Sequence, residues 1–426
     1  MQDISLIRND TETLLHNLKR RKQDHLLNLV KEVKVKDELW REVKQKEDDL
    51  RHRRNNISEQ INEAKKKGED AQHLIEQARE IPKELDQVHN RQIALKKNRD
   101  AILKRLPNTI HESVPYGEDD EDNKEIKRWG TPKNPDFDLL SHRDLAEKIG
   151  GAHFDRSAKI SGHGFYFLKG ELALMNQALI QFTVQTLVGE GYEYHEPPLM
   201  MRREAYETGV QIEDFEEVMY GTEDDMYMIA TSEAPMLAQF MNETLSEDAL
   251  PIKMCSYSMC FRKEVGSRGV DTKGLYRTHQ FNKVEQIAVT KPENSWKMHE
   301  ELQKNAEKIH QLLELPYRVV NVCTGDLGSF AAKKYDIEAW MPRRQTFGET
   351  CSNSNYTDYQ ARRANIRYHK EDTNTYPYPH TLNATGVATS RVMVAILENY
   401  QNEDGSLTIP KVLRAYMNGR KVILSK

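Results

Sequence analysis

The sequence predicts an α+β body, in which an antiparallel β-sheet is flanked by helices, preceded by an N-terminal antiparallel α-helical coiled-coil arm. Three observations predict it. Apolar residues recur every seven positions through a highly charged N-terminal quarter. Beyond residue 136, short strand-like runs alternate with helical patterns, with hairpin-like loops and no regular βαβ repeat. The 426 residues are 38% hydrophobic and 30% charged, which supplies one sizeable core but not a uniformly globular chain, so some part must be extended and charged.

The arm comes first and is assigned residues 1–110. From His25 to Leu106 the chain is dense in Lys, Arg, Glu, Asp and Gln and holds a single glycine and a single proline. One heptad run reads Val43, Leu50, Ile57, Ala64. A second reads Leu74, Ile81, Val88, Leu95, Ile102, with Ala78 and Leu85 in support. A sustained period of seven with charged flanks places two helices in a coiled coil. Lys65-Lys66-Lys67-Gly68-Glu69-Asp70 between them is a helix stop and turn, so the helices run antiparallel. Pro82 should kink the second helix. Residues 111–135 are expected as a linker, with the acidic run Glu118–Asp122 bracketed by Pro115, Pro132 and Pro135. The body then spans 136–426. Within it Glu171–Val188 reads as an amphipathic helix, Met254–Arg262 and Arg277–Val289 as strands, Tyr317–Val322 and Ile337–Met341 as further strands, and Ser295–Leu313 and Gly386–Tyr400 as helices.

Composition excludes several classes. Net charge is −5, so nucleic-acid binding would need a local basic patch, which the lysine-rich turn and Arg51-His52-Arg53-Arg54 offer. Cys255, Cys260, Cys323 and Cys351 form no CxxC pair, which argues against a disulfide framework or a four-cysteine zinc site and for a reducing compartment. No apolar leader and no membrane-length apolar run is visible, so a cytoplasmic protein without a membrane partner is expected.

The chemistry concentrates in three places. Cys260-Phe261-Arg262-Lys263-Glu264 precedes the Gly-, Arg- and Lys-rich segment Val265–Tyr276. Arg277-Thr278-His279-Gln280-Phe281-Asn282-Lys283-Val284-Glu285 follows it. Residues two apart on a strand share a face, so Arg262 and Glu264 lie together, as do Phe281, Lys283 and Glu285. Guanidinium for phosphate, an aromatic ring for a purine and carboxylates for Mg²⁺ or an ammonium suit a nucleotide. Taken singly each residue has a plainer reading: a salt-bridged hairpin, a core phenylalanine, a helix N-cap at Thr231-Ser232.

Their joint order resembles the class II aminoacyl-tRNA synthetases. The FRxE strand is Phe261–Glu264. Leu382-Asn383-Ala384-Thr385-Gly386-Val387-Ala388-Thr389-Ser390-Arg391 is similar to the third motif. Glu171–Val188, Tyr192–Glu196 and Pro198 are similar to the first. Within that class the chain resembles the seryl-tRNA synthetases, through Thr231-Ser232-Glu233 (TxE), His279–Gln286 (HQFxKVEQ), Glu349-Thr350-Cys351-Ser352 (ExxS), Asp358–Arg363 and the N-terminal helical hairpin.

The resemblance implies roles. Arg262, Glu264 and Arg391 would be catalytic. Thr231, Ser232, Glu233, Arg262, Glu285, Asn383 and Thr385 would bind serine. Arg262, Lys263, Glu264, Thr278, Phe281, Glu349, Thr350, Cys351, Ser352 and Arg391 would bind ATP, with Phe281 stacked on adenine and Arg391 on its other face. Glu349 and Ser352 would hold Mg²⁺. Their spacing of three is not a same-face strand spacing, so a bend or bulge must separate them. No zinc is expected, because Cys255 and Cys260 do not show the pattern of the family's zinc-bound form. The implied activity is a serine–tRNA ligase that forms seryl-adenylate and charges tRNA-Ser through the arm, with tRNA-Sec left open beside it, in a homodimer. The alternative is a catalytically inactive synthetase-like RNA-binding paralogue, against which the full set of ATP residues speaks. A carrier-protein ligase on the same body would lack the arm.

Overall fold

The structure, a computed structural model, describes residues 1–210, 216–264 and 274–426. The segment expected to link the two strands of the second motif therefore lies for residues 265–273 outside the described residues. The chain divides into two compact units, Met1–Thr109 and Ile110–Lys426.

In the first unit α1 (Leu27–Lys67) and α2 (Gln72–Arg105) form the long helical pair, about 60 and 50 Å at 1.5 Å per residue. Val43, Leu50, Ile57 and Ala64 on α1 and Ile81, Val88 and Ile102 on α2 are buried, as the heptads require. Gly68 closes α1 with a φ of +72° and lets the chain reverse. α2 runs on unbroken through Pro82. A polar layer interrupts the seam. Asp37, its side chain 2% exposed, is bound by Arg8 at 2.7 Å, Arg99 at 2.8 Å and Arg41 at 3.3 Å. Glu47 is bound by Arg51 and His89. Such buried charged layers fix which turn of one helix faces which turn of the other. Two short helices, Ile4–Asn9 and Thr11–Arg20, seal the open end of the pair, burying Ile7, Leu14 and Leu18 against Val30, Val33, Leu103 and Leu106.

The second unit is built on an eight-stranded sheet. Its strands in chain order are β1 (Lys124–Trp129), β2 (Glu193–His195), β3 (Ile252–Phe261), β4 (Gln280–Thr290), β5 (Tyr317–Asn321), β6 (Lys333–Met341), β7 (Thr346–Asn355) and β8 (His380–Ala388). In space they lie in the order β1-β5-β6-β7-β8-β4-β3-β2. Every pairing is antiparallel except the edge pair β2–β3, which is parallel. The first edge strand, β1, comes from the stretch expected as a linker. One face of the sheet is covered by α3 (Gly170–Gly189), α4 (Ser295–Leu312) and α5 (Thr389–Asn399), whose apolar residues join Val284, Ala288, Leu382, Ala384 and Val387 in the main core. The other face carries the short helices Glu233–Ala238 and Tyr359–Ala364 and an open cavity.

Two register shifts position the cavity's side chains. On β7, Cys351 stands opposite Ile337 of β6 while Glu349 stands opposite Glu338, so Thr350 is an extra residue. On β8, Thr385 stands opposite Glu285 and Val387 opposite Val284, so Gly386 is extra. A bulge puts two successive residues on one side of a strand. Thr350 and Cys351 thus face α4, and Gly386 and Val387 face α3. The flanking residues then share the other face at a spacing of three: Glu349 with Ser352, and Thr385 with Ala388. A Cβ on Gly386 would stand 2.9 Å from the Thr183 methyl and 3.2 Å from Leu187, which is why this bulge takes glycine.

Candidate active site

The cavity encloses about 430 Å³. Phe281 leaves β4 toward it, opposite Cys260 of β3. Arg262 follows β3 directly, with its guanidinium 5.3 Å from the Phe281 ring centre and donating through Nε and Nη2 to the Ala230 carbonyl at 3.3 Å. Glu264 turns the chain out of the strand with a left-handed φ of +49°. Its carboxylate faces Arg277 at 4.0 Å. At the far wall the Arg391 Nη1 lies 3.1 Å from the Glu349 carboxylate, and its guanidinium stands 5.3 Å from the Tyr276 ring centre. Burial pushes the Glu349 carboxyl up, but Arg391 and then Lys334 outweigh it and hold it below the usual carboxylate range.

The deeper end is a second polar cluster. Lys283 Nζ lies 2.5 Å from Glu285 and 3.2 Å from the Thr231 hydroxyl. Asn383 donates to Glu285 at 2.7 Å. Glu233, at the start of its short helix, accepts from the Gln360 amide at 2.6 Å, and Gln360 in turn accepts from the Thr381 hydroxyl at 2.7 Å. That second bond fixes which end of the Gln360 amide meets Glu233. Burial raises the Glu233 carboxyl to about 7; the Gln360 bond counteracts it, and the nearby Glu285 adds to it. A carboxyl desolvated this far gains most from a cation brought beside it.

The cavity therefore gathers Thr231, Glu233, Arg262, Glu264, Thr278, Phe281, Glu349, Thr350, Cys351, Ser352, Asn383, Thr385 and Arg391. Three of the expected residues do not line it. Ser232 is fully buried, its hydroxyl bonded to that of Ser256 at 2.6 Å. Lys263, beyond the end of β3, has its ammonium 5.8 Å from the Tyr220 ring centre. Glu285 is 0% exposed and lies beneath Lys283 and Asn383, through which it meets the cavity. Thr350 and Cys351, turned toward α4 by the bulge, contribute little beyond backbone. Residues that the sequence did not single out as a site include Lys283, Gln360, Lys334, Asp336 and Tyr276. Lys283 and Gln360 stand inside the HQFxKVEQ-like and Asp358–Arg363 segments, so the signal was present in the motifs themselves.

Several buried polar atoms have no hydrogen-bond partner among the described residues: the Thr278 hydroxyl and Asn383 Oδ1 in these walls, and Asp336 Oδ1 behind them. Buried polar atoms are almost always satisfied, so their orientation marks places for a ligand's donors or a cation. Asp336 stands opposite Ser352 in the ladder, with Lys334 at 3.3 Å. Burial raises it to about 7 against the pull of Lys334. Glu349, Ser352 and this orphaned oxygen give a small set of hard oxygen donors, which fits a cation that takes one or two protein ligands and fills its shell from phosphates and water. Among the described residues no group of three or more His, Cys, Asp or Glu side chains converges as a metal site. The four cysteines are separate and buried. No described helix is long and apolar enough to cross a membrane.

Comparison with known proteins gives the geometry its context. Residues 216–400 match the model of the class II tRNA synthetase core domain (G, H, P, S and T), and residues 1–110 match that of the seryl-tRNA synthetase N-terminal domain. The chain is 49% identical over 425 residues to the serine–tRNA ligase of Methanospirillum hungatei, covering 99% of this chain and 100% of that one. It is similar along its whole length to the seryl-tRNA synthetase of Pyrococcus horikoshii solved with ATP, at a TM-score of 0.91 and 44% identity, covering 100% of both chains. The cytoplasmic serine–tRNA ligase of Naegleria fowleri solved with AMP matches at a TM-score of 0.86 and 35% identity, covering 100% of this chain and 99% of that one. The similarity thus runs through both units in relatives of the same length, and the chain belongs to the seryl-tRNA synthetase family of class II aminoacyl-tRNA synthetases.

Proposed function

We propose that the cavity activates L-serine with ATP and that its product charges tRNA-Ser, each step using the residues below. A serine carboxylate oxygen attacks the α-phosphorus, the bond to the bridging oxygen breaks, and pyrophosphate leaves. The 3′-hydroxyl of the terminal ribose of tRNA then attacks the seryl carbonyl and AMP leaves. No covalent enzyme intermediate is needed, so the work is positioning and charge compensation. Arg262 stands between the two clusters, where one guanidinium can hold both the serine carboxylate and the α-phosphate. Phe281 offers its ring to adenine and Arg391 its charge to the phosphate chain. Glu264 and Thr278 face the adenine end. Glu233 and Thr231 receive the serine ammonium. Glu285, Asn383 and Thr385 surround the place of its hydroxyl, where an analogue lacking it would leave buried polar groups unpaired. Glu349 and Ser352 would hold Mg²⁺, which, when bound, neutralises phosphate charge.

The single observation that carries this reading is the convergence of Arg262, Phe281, Arg391 and Glu349 on one cavity whose deeper end holds the Glu233 carboxyl, with Glu285 behind Lys283 and Asn383. The arm is proposed to take the tRNA, with the lysine-rich turn 65–67 supplying phosphate contacts. A homodimer is proposed on the first-motif elements, where Leu174 and Val188 of α3 are half exposed. A cytoplasmic location is proposed from the free cysteines. Serine-dependent ATP–pyrophosphate exchange without tRNA tests the activity. Exchange with serine alone among the amino acids is the expected result; none with any amino acid would favour the inactive RNA-binding paralogue.

A further inference from the structure

His310 lies on α4, on the opposite side of the sheet from the cavity, and is completely buried. Its Nδ1 is 2.8 Å from the Ala306 carbonyl one turn earlier. A carbonyl only accepts, so Nδ1 carries the proton. Burial pushes the imidazole's proton affinity down, which keeps the ring neutral and leaves Nε2 as an acceptor. Nε2 stands 2.8 Å from the Thr350 hydroxyl. That hydroxyl has one proton and a second acceptor within reach, the Ile337 carbonyl at 3.2 Å on β6. At 2.8 Å against 3.2 Å the neutral imidazole is the nearer acceptor for that proton, and it lies on the α4 side of the bulge. The other bulge residue, Cys351, gives its thiol proton to the Thr385 carbonyl at 2.8 Å, where the β7–β8 ladder has already stopped at Asn353–Ala384. The bulge is thus tied down on both sides just where the two strands part.

We propose that His310 is a positioning residue for the phosphate and metal side of the cavity, acting through Thr350: it holds the extra residue of β7 on the helix side, which keeps both Glu349 and Ser352 facing the nucleotide. The inference rests on the reading of Glu349 and Ser352 as Mg²⁺ ligands. Without the imidazole acceptor, Thr350 is left with the β6 carbonyl alone, and the strand can return toward two-residue alternation. Glu349 and Ser352 then cannot both face the cavity.

The test is Mn²⁺ binding, followed by its electron paramagnetic resonance signal, to the full chain with a non-hydrolysable ATP analogue, in the wild type, His310→Leu, His310→Gln and Thr350→Val. His310→Leu should weaken Mn²⁺ about tenfold, the size of effect seen when a residue orienting a metal ligand is removed. Serine affinity measured without nucleotide should change less than about twofold, because the serine cluster lies on other strands. A glutamine side chain can still accept from Thr350, so His310→Gln should recover most of the affinity. Thr350→Val should lose as much as His310→Leu, and the double variant no more than either. Mn²⁺ affinity within about twofold of wild type in His310→Leu would overturn the inference alone, as would equal losses in the His310→Leu and His310→Gln variants. Wild-type protein that binds no Mn²⁺ with the analogue would overturn the metal reading and this inference with it.

Discussion

With the Glu233 carboxyl raised to about 7 by burial, the proposed role of Glu233 in holding the serine ammonium predicts serine capture that depends on pH in the physiological range. An ammonium ligand binds the carboxylate and not the carboxylic acid. The ionised fraction of a group with this value is about one tenth at pH 6 and about nine tenths at pH 8. The KM for serine in ATP–pyrophosphate exchange should therefore rise about tenfold on going from pH 8 to pH 6, while the KM for ATP follows a different profile. Binding should release a proton near pH 7, which calorimetry in buffers of different ionisation enthalpy would detect. Asp336 is raised to about 7 as well, so the assignment is made by substitution. Glu233→Gln keeps a polar group beside Gln360 and removes the charge. It should raise the serine KM about 10- to 100-fold, the range of a lost charge-assisted hydrogen bond, and abolish its pH step. The linkage sign for stability runs the other way from binding. A carboxyl whose folded value lies above its unfolded one contributes fully below about pH 4.5, and that contribution is lost as pH rises through about 7. A serine KM that is flat from pH 6 to 8 in the wild type, or a step that survives in Glu233→Gln, would refute the reasoning.

Arg262→Ala should reduce exchange about a thousandfold, since the one guanidinium between the two clusters is lost; near-normal activity in a folded variant would remove that role. Gly386→Ala should destabilise the body by about 1–3 kcal/mol in denaturant unfolding, because the added methyl meets Thr183 and Leu187 and overpacks the α3 contact. Asp37→Ala should cost the arm about 3–5 kcal/mol by stripping a buried carboxylate from arginines gathered around it, read as an early unfolding step by helical circular dichroism. Burial pushes Asp37 up, but Arg8 and Arg99 outweigh it and hold it low, so its stabilisation is present above its unfolded value near 3.8 and is lost only as pH falls below that.

The arm was legible because its signal is local. Four residues seven apart on α1 and their counterparts on α2 need no knowledge of the rest of the chain, and Gly68 marks the reversal. The motif strands were legible for a similar reason. What sequence missed depends on partners distant in the chain. β1 is mostly polar and sits among prolines and acids, and it is a strand because β5 gives it a ladder. The helix expected from Gly386 starts only at Thr389, because residues 380–388 pair with β4. The need for a bend between Glu349 and Ser352 was readable from their spacing, but its place at Thr350 depends on Ile337 and His310. Pro82, where a kink and not a break was expected, stands inside a continuous α2, since tertiary packing of Ile81 and Val88 outweighs one lost hydrogen bond. Lys283 and Gln360 escaped notice as site residues because each acts through a second residue, Glu285 or Glu233, that only the fold brings near.

The paired register shifts on β7 and β8 have a consequence for how this cavity can be altered. Each is a half-period phase jump in the alternation of a strand. Swapping a side chain on either strand edits one letter of the cavity wall. Deleting a residue elsewhere on either strand instead reverses the inside–outside sense of everything on one side of the cut, whereas deleting residue 350 or 386 itself restores plain alternation and leaves every other side chain on its own face. Length within these two strands is therefore held more rigidly than composition. Any graft that transplants this cavity onto another sheet must carry both jumps together with the helices that pin them.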